Sequence, residues 1–215
     1  MKNFLAVGVF AFVLALFLGC SNEGNDSPDL DNLGNLTGFQ IYRDNGTEYD
    51  GNGIIRLEVC KGNSSRCTYE YLDIGTVANG KGTIDFFDIP DEYLINAPFG
   101  TTVQTSPPNT KGVEVFSFYL ISGDLAYDLQ RRNNTDTEHV FYLYVPQKTD
   151  IIGTETDYGF LFEFNINASK GWNLVYNKET FKKDIYSSNP GTVNLSKIKW
   201  TIDRESEAST HGGPG

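Results

Sequence analysis

From residue 37 to residue 203 the apolar side chains come in short alternating runs, and none sustains the three- and four-residue spacing of a helical stripe. That patterning dictates an all-β fold. The run Phe160-Leu161-Phe162-Glu163-Phe164-Asn165-Ile166-Asn167 shows it best. Phe160, Phe162, Phe164 and Ile166 fall on one face, and Glu163, Asn165 and Asn167 on the other, as a sheet with one wet side requires. Residues 197–203 repeat the pattern, with Ile198, Trp200 and Ile202 inward and Lys197, Lys199 and Thr201 outward. Val140 to Val145 is apolar on both faces, which predicts a central strand covered on both sides. Phe116, Phe118 and Leu120 share a face of another strand, and Trp172, Leu174 and Tyr176 a face of the one after Gly171.

In the first half, strands are expected near 37–43, 53–60, 67–77 and 82–88. Turn chemistry comes from Asp50-Gly51-Asn52-Gly53 and Asn79-Gly80-Lys81, and Pro90 should end the last strand. Residues 98–112 hold three prolines and two glycines among small polar residues, the best internal boundary in the chain. The resulting expectation is an antiparallel β-sandwich in two modules, 37–107 and 108–203, before a disordered tail at 204–215. A single sandwich crossed by one long connection is the alternative.

The amino terminus has a different character. Lys2 precedes an uninterrupted apolar run from Phe4 to Leu18, closed by Gly19-Cys20. Such a run covers roughly 22 Å as a helix, short of a hydrocarbon core of about 30 Å, so residues 1–19 read as a cleaved export signal. Leu16-Phe17-Leu18-Gly19-Cys20 resembles the lipobox of bacterial lipoproteins, with Phe17 where a Leu is usual. The resemblance implies lipidation of Cys20, attachment to a membrane through its acyl chains, and residence in the cell envelope at the outer membrane or cell surface. Residues 20–36, rich in Asn, Asp and Gly, then read as a flexible tether. In an oxidising compartment the remaining cysteines, Cys60 and Cys67, are expected to pair across a six-residue turn, facing one another in register.

A second resemblance rests on Gly75-Thr76-Val77-Ala78-Asn79-Gly80-Lys81-Gly82-Thr83-Ile84 followed by Ile89-Pro90. This looks like the carboxypeptidase-regulatory or transthyretin-like type of small β-sandwich. Ser106 to Gly112 and Lys170 to Tyr176 look like segments of uncharacterised two-part bacterial lipoproteins. These resemblances imply sandwich modules and carry no catalytic residue.

A net charge of −11 argues against nucleic acid as a partner, because a polyanion repels an acidic surface. Two histidines, His139 and His211, stand too far apart to suggest a metal site, and no G-x-S-x-G elbow is present. No cofactor and no catalytic residue is assigned. Asp44, Glu48 and Asp50 crowd one short segment and form a weak calcium candidate, though turns use the same residue types for backbone reasons. Paired carboxylates, drawn from acids such as Glu163 or Asp85, would make a β-scaffold hydrolase of glycosidase type the rival reading. The favoured expectation is a non-catalytic role in glycan or protein binding, or in envelope structure. Its candidate contacts are Tyr69 and Tyr71 on one strand face and Tyr142 and Tyr144 on another.

Overall fold

The computed structural model describes residues 33–63, 66–96, 103–115 and 117–203. The signal segment, Cys20, most of the tether, Phe116, His211 and the tail lie outside the described residues. The strands in chain order are β1 (Leu36–Arg43), β2 (Gly53–Asn63), β3 (Arg66–Ala78), β4 (Lys81–Ile84), β5 (Ile95–Asn96), β6 (Val103–Ser106), β7 (Lys111–Val115) and β8 (Phe118–Ser122). There follow β9 (Leu125–Arg132), β10 (Glu138–Val145), β11 (Thr149–Asp157), β12 (Phe160–Ala168), β13 (Gly171–Thr180), β14 (Lys183–Ser187) and β15 (Lys199–Ile202). Among the described residues the only helical elements are three-residue 3-10 turns, as at Asp91–Tyr93. The chain is all-β.

Seven strands close on themselves in the order β1-β4-β3-β2-β8-β9-β15, and β15 returns to β1. That last contact is parallel, pairing Ile41 with Trp200 and Arg43 with Ile202. Closure pairs each of these strands on both sides over part of its length, while the β2–β3 hairpin runs on beyond its pairings with β8 and β4. Strand β10 pairs with β9 at Arg131 and Arg132, beyond the point where β8 ends opposite Leu129. Since β15 already holds the other edge of β9 at those residues, β10 takes over the edge that β8 vacates. It leads the sheet out of the ring through β13, β14, β12, β11 and β6, with β7 also paired to β10.

Two cores result. Ile41, Ile55, Leu57, Phe118, Leu120, Tyr142 and Trp200 belong to the larger, and Phe141, Leu143, Val145, Ile151, Ile166 and Val175 to the smaller. Strand β10 divides its side chains between them, so it is covered on both faces as its composition predicts. Aromatic contacts knit the larger core. Phe39 stacks on Trp200 at 4.4 Å, Phe86 on Tyr142 at 5.0 Å, and Phe118 meets Tyr142 at 5.3 Å.

Three local expectations need correction. Leu33, assigned by composition to the tether, is buried in the larger core. The strand expected to reach residue 88 ends at Ile84, because the chain then leaves the sheet to pack Phe86 against Tyr142 and Trp172. The Phe87 carbonyl there accepts the Trp172 indole N–H at 2.7 Å. Part of the stretch read as an internal boundary is instead strand, with β6 paired to β11 and β7 to β10. The β3–β4 turn follows its sequence: Asn79 and Gly80 both have positive φ, 51° and 74°, as a two-residue hairpin turn demands. A Cβ at Gly80 would collide with the Tyr49 carbonyl oxygen.

Candidate functional site: a carboxyl-bearing cleft beside a tyrosine face

Strand β7 reads Lys-Gly-Val-Glu-Val, the alternation of a strand with one wet face. Its register with β10 changes that reading. Val113 pairs with Tyr144 and Val115 with Tyr142, facing the larger core, while Glu114 pairs with Leu143 and shares the side of the smaller one. Strand β7 lies beside a doubly covered neighbour, and Glu114, half-buried, sits on the side of the smaller core. Burial there pushes its carboxyl up to about 7. Glu114 makes no ion pair or side-chain hydrogen bond with the described residues.

The carboxyl lines a cleft of about 370 Å³, within the size range of small-molecule sites. One wall is the β2–β3 hairpin, which contributes Val59, the Cys60–Cys67 disulfide and Tyr69. The facing wall is Leu143, Val145 and Ile151. Tyr93 and Ile95 complete the lining from the segment after the Asp91–Tyr93 turn. Tyr93 is pinned to the hairpin by donating its hydroxyl to Glu70 at 2.7 Å, and Lys61 reaches across to Glu92 at 3.3 Å. Two polar side chains in the lining are already committed: Thr110 donates to the Pro107 carbonyl at 2.7 Å and Thr149 to that of Gln147 at 2.9 Å.

Beside the cleft runs a tyrosine face on the outside of the ring. Tyr69 and Tyr71 are 63% and 54% exposed on one side of β3. Tyr71 donates to Glu58 at 2.7 Å and meets Tyr119 edge-on at 5.7 Å. The hydrogen bond to Glu58 pushes the Tyr71 phenol up to about 12, so it stays a donor. Arg56 and Asp73, bonded at 2.6 Å, form the next cross-strand pair on the same face of the hairpin. Tyr69 and Glu58 belong to both features, because each also lines the cleft.

The structure thus brings Tyr69 and Tyr71 to a surface and separates them from Tyr142 and Tyr144. The latter two, candidate contacts by sequence, are 1% and 3% exposed and are core residues. The physical reason is the central position of β10. The expected crosslink is formed, but Cys60 does not face Cys67. The strands continue to Asn63 and Arg66, so Cys60 pairs with Tyr69, Cys67 pairs with Gly62, and the bridge runs diagonally across the hairpin.

In the calcium candidate, guanidinium groups stand where a cation would go. Asp44 takes Arg132 at 2.7 Å, Asp50 takes Arg43 at 3.0 Å, and the Glu48 carbonyl accepts from Arg43 at 2.8 Å. Arg132 also binds Asp136 and Asp203. Among the described residues no group of three or more His, Cys, Asp or Glu could hold a metal ion. Glu163 is paired with Lys183 at 2.8 Å, and neither it nor Asp85 lines the cleft.

Glu114 escapes sequence reasoning because an acid between two valines looks like an outward residue. The one signal that bears on it is the doubly apolar run 140–145, whose side chains cover part of each face of a strand paired with it, and sequence does not reveal which strand that is. No family model matches this chain, and neither a curated protein nor a solved structure matches it.

Proposed function

We propose that this chain is an exported lipoprotein, held to the cell envelope by acyl chains on Cys20, whose β body binds a ligand without transforming it. The observation that carries the binding reading is the pair Tyr69 and Tyr71, exposed in line on β3 and leading to the mouth of an apolar cleft. Tyrosines present flat apolar area with a polar tip and lose little side-chain entropy on binding, which suits them to sugar rings and to protein surfaces. In place of sandwich modules at 37–107 and 108–203, the proposal takes two packed regions, the ring and its extension, joined through β10 and β13, because β8, β9 and β15 of the second stretch belong to the ring. The full-length protein in detergent, applied to a glycan array and to host matrix proteins, should give signals that Tyr69→Ala/Tyr71→Ala abolishes. Silence across both panels overturns the reading. The anchor is tested separately: a palmitate analogue should label the protein, and Cys20→Ala should remove the label.

One observation favours the hydrolase as a second reading: Glu58 and Glu114 line the same cleft. Burial keeps Glu114 largely protonated at mildly acid pH, as a general acid requires. Hydrolysis of aryl glycosides, lost in both Glu58→Gln and Glu114→Gln, would replace the binding reading with this one.

A further inference from the structure

We propose that the cleft takes an organic cation, an ammonium group on a compact apolar body, with the Glu114 carboxylate as its counter-ion and Tyr69 at the entrance. The inference deepens the binding reading and rests on it.

Acids outnumber bases in the described lining of the cleft. Glu114 enters it from β7 and Glu58 lines it from β2. Lys111 also lines it, but strand alternation sets Lys111 with Val113 and Val115, on the face of β7 opposite Glu114, and it is exposed. Lys61, over the Tyr93 ring at 5.7 Å, is engaged by Glu70 and Glu92. Tyr69 and Tyr93 are the titratable groups from β3 and the Asp91–Tyr93 turn, and Tyr186 on β14 lies near enough to feel the Glu114 charge. A carboxyl with no ion-pair partner among the described residues, in a molecule of net charge −11, favours a positive ligand and repels a negative one.

The walls decide what kind of cation. A hard metal ion needs six or more oxygen ligands. Here the Thr110 and Thr149 hydroxyls are spent on backbone carbonyls, which leaves Thr105 as the other threonine of the lining, and the side chains of Val59, Ile95, Leu143, Val145 and Ile151 offer only carbon. Apolar walls with two carboxylates, the unpaired Glu114 and the Tyr71-bonded Glu58, and aromatic rings at hand match a hydrocarbon body with an ammonium head, which Tyr69 can also meet through its ring face.

Binding such a ligand draws Glu114 into its ionised form and expels the proton that burial retains, so affinity should rise with pH. The test uses phenethylamine, with 2-phenylethanol and 3-phenylpropanoate as neutral and anionic counterparts, titrated calorimetrically into the full-length protein in detergent. At pH 6 the amine should bind at least tenfold tighter than the alcohol. Titrations in two buffers of different ionisation enthalpy should show proton release, and affinity should increase several-fold by pH 8. Glu114→Gln should erase both the preference for the amine and the proton release. Tyr69→Ala, at an exposed position that does not threaten folding, should weaken the amine several-fold. Equal binding of amine and alcohol, an unchanged preference in Glu114→Gln, or no amine binding at millimolar concentration would each overturn the inference. If the amine fails while Tyr69- and Tyr71-dependent glycan or protein binding persists, the ligand class falls and the binding function stands.

Discussion

A carboxyl that burial raises to about 7 keeps its proton in the folded chain over a range where the unfolded chain has lost it. Between roughly pH 4.5 and 7 the native state therefore binds more protons at Glu114 than the unfolded state does. The associated stability is complete below the unfolded pKa and is lost as pH rises through the folded one. Glu114→Gln removes that dependence. Denaturant unfolding should show wild type and variant diverging as pH is raised from 4.5 to 8, with the variant more stable at the top by on the order of 2 kcal/mol. Parallel curves would show that the site is wetter than its surroundings imply. The four tyrosines make the complementary point. Tyr69 and Tyr71 have the same spacing as Tyr142 and Tyr144, so sequence tells that each pair shares a face but not whether that face is wet. Burial decides it, and the consequence is measurable. Tyr142→Ala should cost about 3–5 kcal/mol through loss of aromatic packing, whereas Tyr69→Ala should stay within about 0.5 kcal/mol. Comparable losses from the two would overturn the assignment of Tyr69 to the surface.

Strands whose apolar residues alternate without interruption in sequence are the most legible, and those broken by charged or turn-forming residues are the least. Strands β1, β2, β3, β12, β13 and β15 lie close to where periodicity puts them. Strand β11, Thr-Asp-Ile-Ile-Gly-Thr-Glu-Thr-Asp, escapes because its buried side chains, Thr149 and Ile151, cluster at one end and the rest is half-buried or exposed. Strand β9 escapes because Asp128, Arg131 and Arg132 break its apolar run with charge. The β2–β3 hairpin shows how a correct pairing can carry a wrong register. The cysteines and the turn were legible, but the turn is tighter than six residues, and its extra ladder pairs move Cys60 opposite Tyr69. This hairpin is also a wall of the cleft, so its crosslink links stability to the site. Breaking it with Cys60→Ser/Cys67→Ser should cost about 2–3 kcal/mol by the loop-entropy relation for a ring this short. The same variant should loosen the Tyr69 side of the cleft, read as faster amide exchange in β2 and β3 than in β10. Unchanged exchange and an unchanged midpoint would mean that Tyr93, Lys61 and the ladder hold the wall without the bridge.

At the scale of the molecule, the decisive contacts are those that sequence hides. Ile41 and Trp200 meet across almost the whole described chain to close the ring, and neither local pattern nor turn chemistry encodes such a pairing. What the sequence does encode is the doubly apolar strand 140–145, and its consequence is mechanical. Val140, Tyr142 and Tyr144 belong to the larger core, while Phe141, Leu143 and Val145 belong to the smaller. On β13, Trp172, Leu174 and Tyr176 face the first and Val175 the second. Neither region can lose its packing without stripping one side of both strands, so the two should unfold together. The tryptophans make this testable, because Trp172 and Trp200 both lie in the larger core and their fluorescence reports it alone. Ile166→Ala removes a buried side chain from the smaller core, at a cost of about 2–4 kcal/mol. If the regions are one cooperative unit, that substitution should lower the tryptophan-detected midpoint as far as it lowers the midpoint from far-ultraviolet circular dichroism. A fluorescence midpoint left in place while the dichroism signal splits into two steps would show that β10 and β13 are a hinge between independent units.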